Sequence, residues 1–261
     1  MSDSPTTTTG SGDRPLAGRT ALVTGASSGI GEATALALAD LGADVAVGAR
    51  RADRLEDLSG RLRDKGVRAV TLDLDVTDEQ QCRDAVQRTR SETGRVDVLV
   101  NCAGLMLLGP IVDADTEDWR RMMSTNVLGL MYMTHAAIGG MVEQGSGDVV
   151  NISSVAGRVA RSGAGAYNAS KWAVNAFSES LRQEVTAKGV RITLVEPGAV
   201  QTELNDHITD DASREKSKKS YDSMDSLQAE DVARAIAYVV TQPARVAVNE
   251  VLVRPTDQTA P

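Results

Sequence analysis

The sequence predicts an α/β protein: one domain on a doubly wound parallel sheet of about seven strands, with helices on both faces. Two observations carry this. Short runs rich in Val, Leu, Ile and Ala alternate along the chain with longer stretches whose apolar residues recur at helical spacing. Small or polar breaks at Gly25–Gly31, Asn101–Gly104, Ser153–Ser154 and Pro197–Gly198 fall at the carboxyl ends of successive runs. That end of the strands is where ligands bind in such sheets. No internal repeat interrupts the alternation, and no second domain is expected.

The elements follow in order. Thr20–Thr24 reads as the first strand, and Glu32–Leu41 as a helix stopped by Gly42. Between them lies a Gly-rich turn containing Gly25, Ser27, Ser28, Gly29, Ile30 and Gly31. Glycines let the backbone approach a ligand closely, and a helix N-terminus offers free N–H groups to a pyrophosphate. Ala43–Gly48 is the second strand. Where an acid would bind a ribose 2′-hydroxyl, this chain has Arg50 and Arg51, which suit the 2′-phosphate that distinguishes NADP from NAD.

Val67–Leu72 is the third strand, followed by Asp75 and Val76. Asp75 could meet an adenine amino group or cap the helix Thr77–Glu92. Val96–Val100 is the fourth strand and ends at Asn101, Ala103 and Gly104, small residues that would let a cofactor lie against the sheet. Thr116–Val142 reads as one long helix, with Asn126 among apolar neighbours; a buried Asn must be hydrogen-bonded. Asp148–Ile152 delivers Ser153 and Ser154, and Val190–Val195 delivers Pro197, Gly198, Val200 and Thr202. Residues 203–225 are polar and charge-rich, an expected lid over the site. Helix Ala229–Val240 and strand Val246–Val253 complete the domain.

The helix Ala166–Lys188 carries Tyr167 and, four residues on, Lys171. That spacing puts both on one helix face. A phenol has an ordinary pKa of about 10, and a nearby ammonium favours the phenolate, so the pair could move a proton to or from an alkoxide. A serine hydroxyl beside the phenol could hold the carbonyl oxygen that takes that proton.

Composition sets limits on partners. With 41% hydrophobic and 25% charged residues, the chain of 261 residues is an ordinary globular protein. Its net charge of −8 argues against nucleic acid and anionic membranes as partners. Cys82 and Cys102 make no disulfide framework, no apolar run approaches a membrane span, and a cytoplasmic protein without a metal site is expected. Residues 1–15, rich in Ser, Thr, Gly and Pro, read as a disordered tail before a domain spanning 16–261.

Taken together, Thr24–Gly31, Asn101–Gly104, Asn126, Ser154, Tyr167–Lys171 and Pro197–Gly198 with Thr202 resemble the short-chain dehydrogenase/reductase family, over roughly 16–254. The thirteen-residue step from Ser154 to Tyr167 matches the family and selects Ser154 over Ser153. The resemblance implies a Rossmann-type fold and carbonyl–alcohol interconversion by hydride transfer. Arg50 makes the chain similar to the NADP-preferring branch, among clavaldehyde, 3-hydroxy acid and serine dehydrogenases. It further implies Tyr167 as acid/base, Ser154 on the carbonyl and Lys171 on the nicotinamide ribose. Asn126 would hold a relay water, Thr202 the carboxamide, and the whole would form a homotetramer or dimer. A pocket for a small polar, carboxylate-bearing or specialised aldehyde substrate is expected around Met106, Arg158, Leu204 and His207, with Arg158 or Arg161 as carboxylate anchor. A non-catalytic NADP-sensing regulator on the same fold is the alternative. Two departures stand out. Cys102 replaces the usual second Asn, and the last strand lacks an Asp-Gly-Gly ending, leaving the wall it forms open.

Overall fold

A computed structural model describes residues 14–259. Of the expected N-terminal tail, 1–13 lie outside the described residues. Arg14 is held, its guanidinium donating to the Lys65 carbonyl at 2.9 Å.

The strands are β1 (Thr20–Thr24), β2 (Asp44–Ala49), β3 (Ala69–Asp73), β4 (Val98–Asn101), β5 (Gly147–Ile152), β6 (Val190–Pro197) and β7 (Glu250–Val253). They form one parallel sheet in the order β3-β2-β1-β4-β5-β6-β7. The order reverses between β1 and β4, so a crevice opens beyond their carboxyl ends. Every residue of β1, β4 and β5 is buried, as a strand covered on both faces must be.

Helices α1 (Gly29–Asp40), α2 (Ala52–Asp64) and α8 (Ala229–Val240) enclose one core with Leu38, Leu55, Leu62, Val232 and Ile236. Helices α3 (Glu79–Thr93), α5 (Leu130–Gln144) and α6 (Gly165–Val185) enclose the other with Cys82, Val86, Met133, Met141 and Leu181. Two further helices, the short α4 (Thr116–Met122) and α7 (Asp211–Asp222), flank the carboxyl end of the sheet. Fully burying a Leu or Met contributes roughly 1.5–3 kcal/mol, so these two layers dominate the favourable side of folding.

Two expectations need correction. The long helix expected over Thr116–Val142 is broken into α4 and α5 by a π-helical turn at Met123–Gly129. The extra residue per turn rotates Asn126 inward, where its side chain bonds the 105 backbone. The last strand starts at Glu250, not Val246. Side chains of β6 take the carbonyls that a longer strand would pair: Arg191 donates to Val246 at 2.9 Å, and the Thr193 hydroxyl to Val248 at 2.7 Å.

At the amino ends of the strands, Asp148 is only 5% exposed and sits between two arginines. Arg19 reaches it at 2.6 Å and Arg191 at 2.6 and 3.0 Å. Removing one partner of a buried charge cluster leaves the rest uncompensated. Asp148→Ala is therefore expected to lower unfolding free energy by about 3 kcal/mol, read from urea denaturation. A loss within experimental error would show that the arginines rehydrate freely.

Candidate active site

The turn Gly25–Gly29 between β1 and α1 is held down by backbone contact. Gly25 has φ +64°, and a Cβ on it would lie 2.7 Å from the Ala103 Cα. A Cβ on Gly31 would strike the Gly25 carbonyl. Gly29, at φ +54°, packs beneath Thr202, whose methyl would be 3.0 Å from an added Cβ. Thr24 secures the neighbouring loop, its Oγ1 accepting from Cys102 and Ala103 N–H at 3.1 and 3.2 Å. Ser28, the N-cap of α1, makes no side-chain cap bond, so the first N–H groups of the helix have no capping side chain.

From this turn a cleft of about 750 Å³ runs along the carboxyl edge of the sheet. Its walls include the six glycine-turn residues expected from sequence, with Arg50, Arg51, Asp75, Val76, Ala103, Gly104, Pro197, Gly198, Val200 and Thr202. Asn101 is the exception. It is 3% exposed and its amide donates to Thr134 and Asn151, tying β4 to α5 and β5 beneath the cleft floor. Asp75 is not the cap of α3; that role falls to Asp78, while Asp75 accepts from Thr77 and keeps its place on the cleft wall.

The two arginines after β2 differ. Arg50 is exposed, lines the cleft, and has no acid partner among the described residues. Arg51 donates to the hydroxyls of Ser27 and Ser28, at 2.7–3.1 Å, and to Glu203 at 2.8 Å.

Ser154, Tyr167 and Lys171 stand together on the wall opposite α1. Both serines line the cleft, but the Ser153 hydroxyl is committed to Asn175, donating to it at 2.5 Å, whereas the Ser154 hydroxyl accepts from the Ala156 N–H at 3.1 Å. Lys171 is 6% exposed, donates to the Ile152 carbonyl at 2.9 Å, and lies 5.8 Å from the Tyr167 ring centroid. Burial lowers its ammonium to about 8. The phenol behaves otherwise than expected from the Tyr/Lys spacing alone. Burial raises it above the ordinary tyrosine value, with the Ser154 hydroxyl and the Arg161 charge opposing. At neutral pH Tyr167 thus carries its proton.

Asn126 lies behind this wall. Its Oδ1 accepts from the Leu105 N–H at 2.7 Å, and its amide donates to the Leu105 carbonyl at 2.8 Å and to Ser170 at 3.0 Å. The side chain fixes the loop after β4 against α6.

At the far end of the cleft lie Met106, Leu204 and His207, as expected, joined by Arg161, Lys216 and Tyr221. Arg158 is not among them. Its guanidinium is bound to Glu196, at 2.5 and 2.8 Å, and to Glu250. Glu196 is wholly buried, so a counter-ion there is needed more than a substrate anchor. Arg161 keeps its guanidinium free of acid partners among the described residues, and its backbone N–H donates to Asn168. Asn168, which the sequence motif did not single out, also holds the carbonyls of Ala156 and Val159, both at 2.8 Å. The wall left open by the missing C-terminal motif is supplied by Gln258, whose side-chain oxygen accepts from the Ala199 N–H at 2.9 Å.

Sheet order, glycine turn and switch-point cleft define a Rossmann-type nucleotide-binding domain. The match to the short-chain dehydrogenase model over residues 19–213 places the chain in that family. A glycine betaine reductase of Emericella nidulans is 43% identical over 94% of this chain, which corresponds to only 19% of that much longer protein. An uncharacterised oxidoreductase of Staphylococcus saprophyticus is 37% identical over 91% of this chain and 96% of its own. Among solved structures, the closed form of a serine dehydrogenase complexed with NADP+ superposes with a TM-score of 0.84 at 36% identity, covering 92% of this chain and 96% of that one. The chain is thus an oxidoreductase of this family. Among the described residues no helix is long and apolar enough to cross a membrane.

Arg158→Ala should behave as a structural lesion. Among the described residues Glu196 would retain only the side chain of Asn175 as a partner, at 2.9 Å, and stability should fall by about 2–3 kcal/mol in urea. Relative activity on carboxylate and neutral substrates should stay unchanged; a selective loss on carboxylates would return Arg158 to the substrate pocket.

Proposed function

We propose that the protein is an NADP(H)-dependent oxidoreductase that interconverts a carbonyl and an alcohol. The observation that carries this reading is the meeting of Ser154, Tyr167 and Lys171 in the cleft that begins at the glycine turn and Arg50. The cleft fits a dinucleotide. An added Cβ at Gly25 or Gly31 would fill the space where backbone must come close, and the α1 N-terminus suits a pyrophosphate. Arg50, without an acid partner among the described residues, suits a 2′-phosphate. Thr202 and Lys171 would hold the nicotinamide end.

The bound cofactor supplies the hydride. The rest falls to the chain. Ser154 and Tyr167 would donate hydrogen bonds to the carbonyl oxygen, and Tyr167, protonated at neutral pH, would pass its proton to the oxygen as negative charge develops there. Lys171 would bring positive charge beside the phenol. Asn126 acts as a positioning residue, fixing the loop at Leu105 on which the cofactor would rest. Arg161 and Lys216, which line the cleft without an acid partner among the described residues, favour a small polar substrate bearing a carboxylate or other anion. Leu128 in the π-helical turn and Trp172 on α6, 42% and 51% exposed, support assembly of copies through those faces.

The test follows cofactor absorbance with NADPH and NADH against aldehydes, ketones and 3-oxo acids, and with NADP+ against 3-hydroxy acids and serine. Faster turnover with NADPH is expected, Tyr167→Phe should lower kcat by about 10²–10⁴-fold with NADPH binding retained, and Arg50→Ala should weaken NADPH binding about 10-fold. NADPH binding without turnover across the whole panel would make the protein a sensor of the cofactor.

For the substrate, Arg161→Ala should raise KM for anionic carbonyls by about 10-fold or more and leave neutral aldehydes little changed. Equal losses on both would remove Arg161 as an anion anchor.

A further inference from the structure

Glu203 opens a short 3₁₀ helix, Glu203–His207, at the start of the segment expected to be a lid. Its carboxylate is shared between two arginines of another element: Arg51 reaches one oxygen at 2.8 Å, and Arg54 the other at 2.6 Å. Arg51 precedes α2 and Arg54 lies in its first turn. The Nε and Nη2 groups of Arg51 donate to Ser27 and Ser28 of the glycine turn. One residue earlier, the Thr202 methyl rests over Gly29. Downstream, Asn205 accepts from Ser217 at 3.0 Å, which joins the 3₁₀ helix to α7. Along α7, Lys216 and Tyr221 face the substrate end of the cleft.

These contacts make one continuous chain, from glycine turn through Arg51 and Glu203 to the cover of the substrate pocket. It crosses the cleft between the wall that would hold the pyrophosphate and the wall that follows β6. Because most donors of Arg51 are engaged by Ser27, Ser28 and Glu203, recognition of a 2′-phosphate falls first to Arg50 beside it. The pairing is available across the working pH range, since the two guanidinium groups, Arg54 first, hold the Glu203 carboxyl down to about 2.

We infer that Glu203 is a positioning residue that straps the 203–222 segment to Arg51 and Arg54 across the bound cofactor, and so slows cofactor release. The inference rests on the nicotinamide-cofactor reading above, and the strap is distinct from the groups that would touch the reacting carbonyl. Substitution should therefore act on cofactor retention and leave the chemistry intact.

The experiment uses the full chain and NADPH itself, with dissociation followed by stopped-flow fluorescence and affinity by titration. Glu203→Gln is expected to raise the NADPH off-rate and Kd about 10-fold, the scale of one lost charge-assisted contact, with the on-rate changing much less. The single-turnover rate at saturating NADPH should match wild type. Arg54→Gln, which removes a side chain bonded among the described residues only to Glu203, should do the same to a smaller degree. The double variant should be no worse than Glu203→Gln alone. Hydrogen exchange across 203–222 in cofactor-free protein should rise in both variants. Unchanged or tighter NADPH binding in Glu203→Gln would overturn the strap, showing that Glu203 merely competes for arginines that phosphate wants. Failure of the wild type to bind NADPH at all would overturn the cofactor reading and the strap together, whereas a binding wild type with an indifferent Glu203→Gln sinks only the strap.

Discussion

Backbone touching backbone, where Gly25 meets Ala103, is the contact on which the rest of the cleft depends. A single Cβ at Gly25 would sit 2.7 Å from the Ala103 Cα, and one at Gly31 would strike the Gly25 carbonyl. Only because both are glycine can the β1–α1 turn settle at the switch point of the sheet, with the end of α1 aimed along the strand edge. Thr24 reinforces the same junction from below through Cys102 and Ala103. The floor, the phosphate end and the loop that carries Leu105 all take their position from it.

The opposite wall is organised by burial and hydrogen bonding more than by charge attraction. Lys171 is anchored to the Ile152 carbonyl, Ser153 and Asn175 engage each other, and Asn168 gathers the 156–161 loop. Each satisfied polar group removes a way for the wall to shift. Within that setting, burial raises the phenol and lowers the amine, giving an acid and a weakened base side by side. Glu196 shows the same logic without reactivity. A fully buried carboxylate demands cations and donors, and it takes Arg158 and Asn175 to meet that demand.

Much of this was legible in the chain. The strand and helix series followed from apolar spacing, and the glycine turn and Tyr167–Lys171 pair from local patterns that mean the same thing wherever they fold. The readings that changed concern side chains whose partners are distant in sequence. Arg158 was open to two fates, and its ion pair with the buried Glu196, 38 positions away, decided between them. Asn101 ended in the core because Asn151, 50 positions away, presents an acceptor to it. No local pattern around Met123–Gly129 announced a π turn either; in it Asn126 reaches Leu105 while Met122 before the turn and Leu130 after it stay buried.

The sequence by itself determined the class of fold, the family and the residues of the cleft that lie in the glycine turn and the Ser154–Lys171 stretch. These depend on periodicity, backbone freedom and spacing along one helix, all of which are local. Only the tertiary structure decided which arginine is free and which is spent. Arg50 and Arg51 are chemically alike and adjacent, yet one faces the cleft unpaired by any described acid while the other binds Ser27, Ser28 and Glu203. A guanidinium's role is set by whichever acceptor the fold brings within about 3 Å, and that acceptor, Glu203, lies 152 positions along the chain.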